Sequence, residues 1–272
     1  MTAGQRVALI YQPFREETHI AARHAAAILE SRNVQTDLLQ AFDLQGVPTD
    51  PFRFAVTFGG DGTALRAAAW LVDADIAIVP IRMGKLSFLG EIDPADLPDA
   101  LPKLVDDEYW IDERTMLEAR CGEVCALALN DAVVGRGAAS RAVRLDVYVD
   151  DELLARYTCD GIVVSTATGS TAYALAAGGP VLMPSLRGML LVPIAPHLTH
   201  LRSLVIPHDS RVRIVVHTVQ PAVLTADGHL DLPVQDEDEV QVRMAKQTTK
   251  FARLGLRSAF YRSLEARLLR RE

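Results

Sequence analysis

Along the first hundred positions, short apolar runs alternate with stretches of helical period. Val7 to Tyr11 reads as a strand, and Glu17 to Ser31 as an alanine-rich helix with Ile20, Ala27 and Ile28 on one side. Phe54 to Phe58 predicts a second strand and Thr63 to Val72 a second helix. Ile76 to Ile81 predicts a third strand, ending near Met83 and Gly84. Alternation of this kind predicts βαβ units around a parallel sheet, which binds ligands at the carboxyl ends of its strands.

Beyond about Leu104 the pattern changes to period two. Thr115 to Cys121 and Val124 to Val134 predict paired strands, and Val143, Leu145, Val147 and Val149 alternate with polar neighbours up to an Asp150-Asp151 turn. Leu204 to Ile206, Val212 to Val216, Ala222 to Thr225 and Val240 to Val242 continue the β pattern, with Asp227-Gly228 as a hairpin turn. The expected architecture is an α/β domain over residues 1–104 and a mostly antiparallel β domain over 105–254. Phe260, Leu264, Leu268 and Leu269 predict a C-terminal helix, within 255–272, that packs back on the first domain.

Composition narrows the function. The 272 residues are 49% hydrophobic and 23% charged, an ordinary globular balance. With 28 basic against 35 acidic side chains the net charge is −7, which gives no overall attraction to nucleic acid or an anionic membrane. The chain has neither a signal peptide's apolar core nor the roughly 18-residue apolar run of a membrane span, so a cytoplasmic protein is expected. Cys121, Cys125 and Cys159 include no C-x-x-C pair. Cys121 and Cys125, four apart in strand-like sequence, read as buried small hydrophobes. His197 and His200 lack nearby partners for a zinc site.

The candidate chemistry lies where the strand at Phe54 runs into Gly59, Gly60, Asp61, Gly62 and Thr63. Glycines permit unusual backbone conformations and close approach of a ligand, and Thr63 is placed to cap the helix that follows. The helix start offers unpaired N–H groups to an anion. A carboxylate beside phosphates needs a reason, and Asp61 has one if it binds a metal ion or accepts a proton from an attacking hydroxyl. The pattern differs from a P-loop and from a Rossmann fingerprint, and it points to phosphoryl transfer. A second polar cluster, Thr166 to Tyr173, sets hydroxyls and Gly169 before a helix start and a Gly178-Gly179-Pro180 stop. Asn130-Asp131 adds an amide and a carboxylate able to grip a ribose and an adenine edge.

These segments together resemble the NAD kinase family. The resemblance rests on Gly-Gly-Asp-Gly-Thr at 59–63, Gly84 to Leu89, Asn130-Asp131, Asp160-Gly161, Thr168 to Tyr173, Gly178-Gly179-Pro180 and Pro193 to His197, in the family's order. It implies phosphorylation of the adenosine ribose of NAD by ATP or polyphosphate, with Mg²⁺ or another divalent metal. It also implies a site between two domains and a homodimer or homotetramer in which a neighbouring subunit completes that site. Carried over by motif, Asp61 is the catalytic base, and Gly59, Gly60, Gly62 and Thr63 handle the donor's phosphates. Phe88 packs beside an NAD ring, Asn130 and Asp131 hold the adenosine end, and Asp160, Thr171, Ala172 and Tyr173 line the rest of the pocket. Ser87, Arg82, Ala167, Val192 and Thr158 depart from the usual family residues. The alternatives are a diacylglycerol- or sphingosine-type lipid kinase, which shares the glycine turn, and a non-catalytic NAD(P) sensor.

Overall fold

The first apolar runs show no polar alternation because helices cover both faces of their sheet. In the computed structural model, which describes residues 6–48, 52–84, 87–137, 142–197, 202–257 and Leu264, the opening elements are β1 (Arg6–Tyr11), α1 (Glu16–Glu30), β2 (Gln35–Gln40), β3 (Phe54–Gly59), α2 (Asp61–Leu71), β4 (Ala77–Arg82) and α3 (Leu97–Val105). The four strands are parallel in the order β2-β1-β3-β4, so all four end on one edge. Val7, Leu9, Phe54, Phe58, Val79 and Ile81 form their core with Leu97, Leu101 and Leu104 of α3. Burying each such large side chain contributes roughly 1.5–3 kcal/mol.

Helix α1 buries a different stripe from the one its large residues predict. Ala21, Ala22, Ala25, Ala26 and Leu29 face the core with Ile28 partly buried against it, while Ile20 is 60% exposed and Ala27 is also exposed. The alanines bring the helix backbone close to the sheet, and that close approach decides which side turns inward.

Strand β5 (Trp110–Cys121) carries the chain out of the first compact unit, Met1–Glu113 with Thr249–Glu272, into the second, Arg114–Thr248. There β6 (Val124–Ala128) closes a hairpin on β5. The strand expected from Val124 to Val134 breaks at Leu129 and Asn130, and β7 (Asp131–Arg136) joins another sheet. After β8 (Val143–Val149), β9 (Glu152–Cys159) and β10 (Gly161–Ser165) comes a single helical turn, α4 (Tyr173–Ala176). The chain continues through β11 (Gly188–Ile194), β12 (Leu204–Pro207), β13 (Val212–His217), β14 (Ala222–Ala226), β15 (Leu230–Val234) and β16 (Glu239–Arg253). An antiparallel sheet, β12-β11-β10-β7-β14-β15, shares one core with β8, β9, β13 and the start of β16. Asp150-Asp151 and Asp227-Gly228 make the expected turns, all four residues having positive φ as the tightest hairpins require.

Strand β16 starts against β13 and ends in the first unit, where Phe251 pairs in parallel with Ile78 of β4. The expected helix at Ser258 to Leu269 lies outside the described residues except for Leu264, which is helical. Cys121 is half-buried and Cys125 exposed, on the two strands of the β5–β6 hairpin, so the expected burial of that pair does not hold. Cys121 still packs against the edge of the second unit's core, while Cys125, just past the hairpin tip at Gly122 (φ 57°), faces solvent. Cys159 is buried, and burial pushes its thiol up to about 12, which makes it inert.

Candidate active site

Strand β3 is apolar until Gly59 and then turns directly into α2. Gly60 is the N-cap in extended conformation (φ −80°, ψ −177°), and Asp61 is the first helical residue. None of Gly59, Gly60 and Gly62 has positive φ, so their use is space rather than unusual dihedrals. A Cβ on Gly59 would lie 2.1 Å from Thr63 Oγ1, whereas Gly60 and Gly62 face open space that lets a ligand reach the backbone. Thr63 is not the cap that its position in the sequence suggests. It is the third helical residue, 4% exposed and packed under Gly59, because the helix begins two residues earlier.

The carboxylate of Asp61 is held from the loop after β4. Ser87 Oγ donates to Oδ1 at 2.7 Å, the Phe88 N–H to Oδ2 at 2.8 Å and the Leu89 N–H to Oδ1 at 3.2 Å. Ser87 Oγ in turn accepts the Gly90 N–H at 2.9 Å. The returning β16 fastens this loop, since the buried Arg253 donates to Leu89 O at 2.5 Å and pairs with Asp112 at 3.2 Å. Glu91 accepts the N–H groups of Leu254 and Gly255 at 2.7 and 3.2 Å. Glu91 and Arg253 belong to no motif. They could be found only from the fold, which brings positions more than 160 residues apart together.

In the second unit, Asn130 and Asp131 sit where the chain passes from β6 to β7, and both are buried. Their backbone is fixed by Asp227, whose oxygens accept N–H groups from Leu129, Asn130 and Asp131 at 2.7, 2.7 and 3.1 Å. Two carboxylates thus share a buried corner. Burial, reinforced by Asp227, pushes Asp131 up to about 7. Burial also raises Asp227, against the pull of its three N–H donors and of His229. Both oxygens of Asp227 are taken as acceptors, so Asp131, the other carboxyl of the corner, is the one placed to hold a proton and act as a donor. Asp227 reads in the sequence only as a turn residue, and its clamp role was hidden there.

The segment after β10 packs on the same corner. Gly169 is required, since a Cβ would lie 2.1 Å from Asn130 O. Most of the hydroxyls are spent internally: Thr166 Oγ1 donates to Leu129 O at 2.6 Å and accepts the Gly169 N–H, Ser170 Oγ donates to Ala167 O, and Thr171 Oγ1 donates to Thr168 O. These hydroxyls build the loop rather than lining an open pocket. Thr171 and Ala172 are half-buried and Tyr173 is 46% exposed, so their surfaces are presented outward. Asp160 is not brought to this corner. It precedes Gly161, which pairs with Gly135 at the far end of the β7–β10 ladder from the Asp131–Ser165 pair, four residues or about 13 Å away. There Asp160 pairs with Arg136 at 3.3 Å.

His197 lies in neither cluster, and His200 is outside the described residues. Among the described residues, the His217, Asp236 and Glu237 side chains converge at an exposed turn of the second unit. Asp236 there accepts the Thr218 N–H and Glu237 pairs with His217, which accounts for the grouping.

A parallel sheet with a glycine–aspartate turn at its carboxyl edge, followed by an antiparallel unit with a buried amide–carboxylate corner, defines a nucleotide-handling protein of the two-unit α/β-plus-β class. The sequence matches the ATP-NAD kinase N-terminal domain over residues 10–109 and the ATP-NAD kinase C-terminal domain over 129–254. An NAD kinase of Chloroflexus aurantiacus is 38% identical over 98% of this chain and 99% of its own. One of Dehalococcoides mccartyi is 35% identical over 97% and 96%. The chain therefore belongs to the NAD kinase family. Among solved structures, yeast NADH kinase complexed with NADH superposes with TM-score 0.84 over 97% of this chain and 87% of its own, at 24% identity, a likeness of fold. An NAD kinase from Archaeoglobus fulgidus in complex with ATP gives 0.81 over 96% and 98%, at 26% identity.

Proposed function

We propose that the protein transfers the terminal phosphate of ATP to the 2′-hydroxyl of the adenosine ribose of NAD, with Asp61 receiving the hydroxyl proton. The observation that carries this is the hold on Asp61. A carboxylate offers about four lone-pair sites, and three donors aim it from one side. The remaining site is left for a substrate hydroxyl. Positioning and electrostatics dominate phosphoryl transfer, and a carboxylate fixed beside an N–H-rich helix start contributes both.

Gly60 and Gly62, open to solvent, would admit the donor's phosphates to the α2 N-terminus, and Gly59 would keep Thr63 out of their way. Asn130 and Asp131 would hold the adenosine end of NAD, with Phe88, Thr171, Ala172 and Tyr173 as further contacts. Asp160, at the other end of its ladder, fits a contribution to a neighbouring subunit's site, in keeping with a homodimer or homotetramer. With three of its roughly four lone-pair sites taken by the Ser87–Leu89 loop, Asp61 could give a metal ion at most one bond. A divalent ion would travel with the donor's phosphates and water. A cytoplasmic location accords with the absence, among the described residues, of any helix long and apolar enough to cross a membrane.

The test is formation of NADP from NAD by the purified protein with Mg²⁺ and either ATP, polyphosphate or no donor, read by an NADP-specific dehydrogenase. Product with ATP is expected. NAD binding with no product under any donor would favour the sensor, and absence of NAD binding would favour a lipid substrate.

A further inference from the structure

All four parallel strands end on one edge, and two of the loops leaving that edge carry exposed phenylalanines. Phe14 follows β1, which lies beside the strand that feeds the glycine turn, and Phe42 follows β2, one strand further out. Phe14 is 77% and Phe42 46% exposed, yet the rings are in contact, edge to face, with centroids 5.2 Å apart. The guanidinium of Arg66 lies over Phe42, 4.2 Å from its centroid. Single exposed apolar residues are ordinary, but two rings and a guanidinium assembled at a sheet's carboxyl edge are not a random scatter.

The loops are fixed at their roots. Gln12 N–H donates to Phe58 O and Ala41 N–H to Tyr11 O, at 3.1 and 2.9 Å. Arg15 reaches across to Met83 O at 3.1 Å. Phe14 N–H is held by the Gln12 side chain at 3.0 Å. The rings therefore stand on a braced backbone, so little ordering remains to be done when a flat ligand arrives. Arg66 links this cluster to the phosphate turn, since it lies five residues after Asp61 on α2, about 7.5 Å along the helix axis. A nucleotide with its phosphates at the turn can set its base within reach of this cluster.

We infer that Phe14, Phe42 and Arg66 form a stacking platform for the purine base of the nucleoside triphosphate donor. This rests on the reading of the protein as a kinase that uses ATP, and it assigns that donor's base a place. Aromatic faces and a guanidinium plane accept any base by stacking, with purines favoured by their larger π surface. A polyphosphate chain has no ring to stack and gains nothing from the platform. The rings would therefore set a preference for nucleotide over polyphosphate as donor.

The experiment is calorimetric titration of the full chain with MgATP and with magnesium tripolyphosphate, which lacks a base, for the wild type, Phe14→Ala, Phe42→Ala and Phe42→Leu. The Kd for MgATP is expected to rise about ten-fold in each alanine variant and nearly as much in Phe42→Leu, which keeps apolar volume without a π face. The Kd values for tripolyphosphate and NAD should stay within about two-fold. Unchanged MgATP affinity in an enzyme that still makes NADP overturns the platform and leaves the function standing. Equal losses for tripolyphosphate overturn it as well, because the effect would then be on phosphates or folding. Dissociation of an oligomer on ring substitution, with MgATP affinity unaltered, would assign the rings to a contact between copies of the chain. A wild type that binds no MgATP overturns the platform and the ATP-dependent reading together.

Discussion

The aspartates of the two units are opposites in environment. Asp61 stands partly exposed at the head of a helix, and its oxygens are addressed by a hydroxyl and two backbone N–H groups. Asp131 is 5% exposed, has a second carboxylate for a neighbour, and is pushed up to about 7. The first is arranged to accept a hydrogen bond and the second, below neutral pH, to give one. Environment assigns different roles to chemically identical side chains.

The largest expected effect follows from removing the acceptor. Asp61→Asn keeps the shape but cannot take a proton, and kcat for NADP formation is expected to fall roughly 10²- to 10⁴-fold with NAD affinity retained. Turnover within about three-fold of wild type would end the contrast, because Asp61 would then be another clamp. At the other corner, Asp227→Asn turns an amide NH₂ toward backbone donors that need an acceptor. It should destabilise the fold by roughly 1–3 kcal/mol in denaturant titration. The same change relieves the like charge beside Asp131, so the pH at which NAD affinity changes should move down. A midpoint that stays in place would separate Asp227 from Asp131 electrostatically.

Asp131 makes a prediction of opposite sign to that of most carboxylates. Its folded-state value, about 7, lies above the ordinary 3.8, so the folded protein keeps a proton that the unfolded chain releases. Through the window between those values the unfolded state binds fewer protons, and stability therefore falls as pH rises. The loss is complete above about 7. Asp131→Asn removes this slope, so its stability relative to wild type should improve steadily from pH 4 to pH 7.5. The same variant should bind NAD more weakly by roughly 1–3 kcal/mol at pH 7.5, where the wild-type carboxylate can accept a charge-assisted hydrogen bond. A constant difference in stability across the pH range would mean that Asp131 carries its charge in the fold.

How much of this the sequence discloses depends on how local each feature is. The βαβ order, the antiparallel second unit and the Asp150-Asp151 and Asp227-Gly228 turns follow from periodicity and turn chemistry within a few residues. The helix start at Asp61 rather than near Thr63 was less legible, since Gly60 caps by conformation with no side-chain signal. The inward face of α1 went to alanines because close helix–sheet approach outweighs side-chain size, which no count of large residues along the helix reveals. Arg253, Glu91 and Asp227 were invisible as site residues because their partners are distant in the chain.

Ser87 gives the smallest and most discriminating test of the Asp61 arrangement. Ser87 is 3% exposed, and its hydroxyl donates to Asp61 Oδ1 and accepts from Gly90 N–H, so one group sets both the carboxylate's orientation and the loop's turn. Ser87→Ala leaves the Phe88 and Leu89 N–H groups in place and removes one of three donors, so kcat should drop only about two- to ten-fold, the net worth of one hydrogen bond. Ser87→Thr keeps the hydroxyl and should recover most of the loss if its methyl group is accommodated. If Ser87→Ala instead costs as much as Asp61→Asn, the three donors do not act separately and the carboxylate is positioned by the serine alone. If it costs nothing, two backbone N–H groups suffice, and the hydroxyl serves the loop through Gly90.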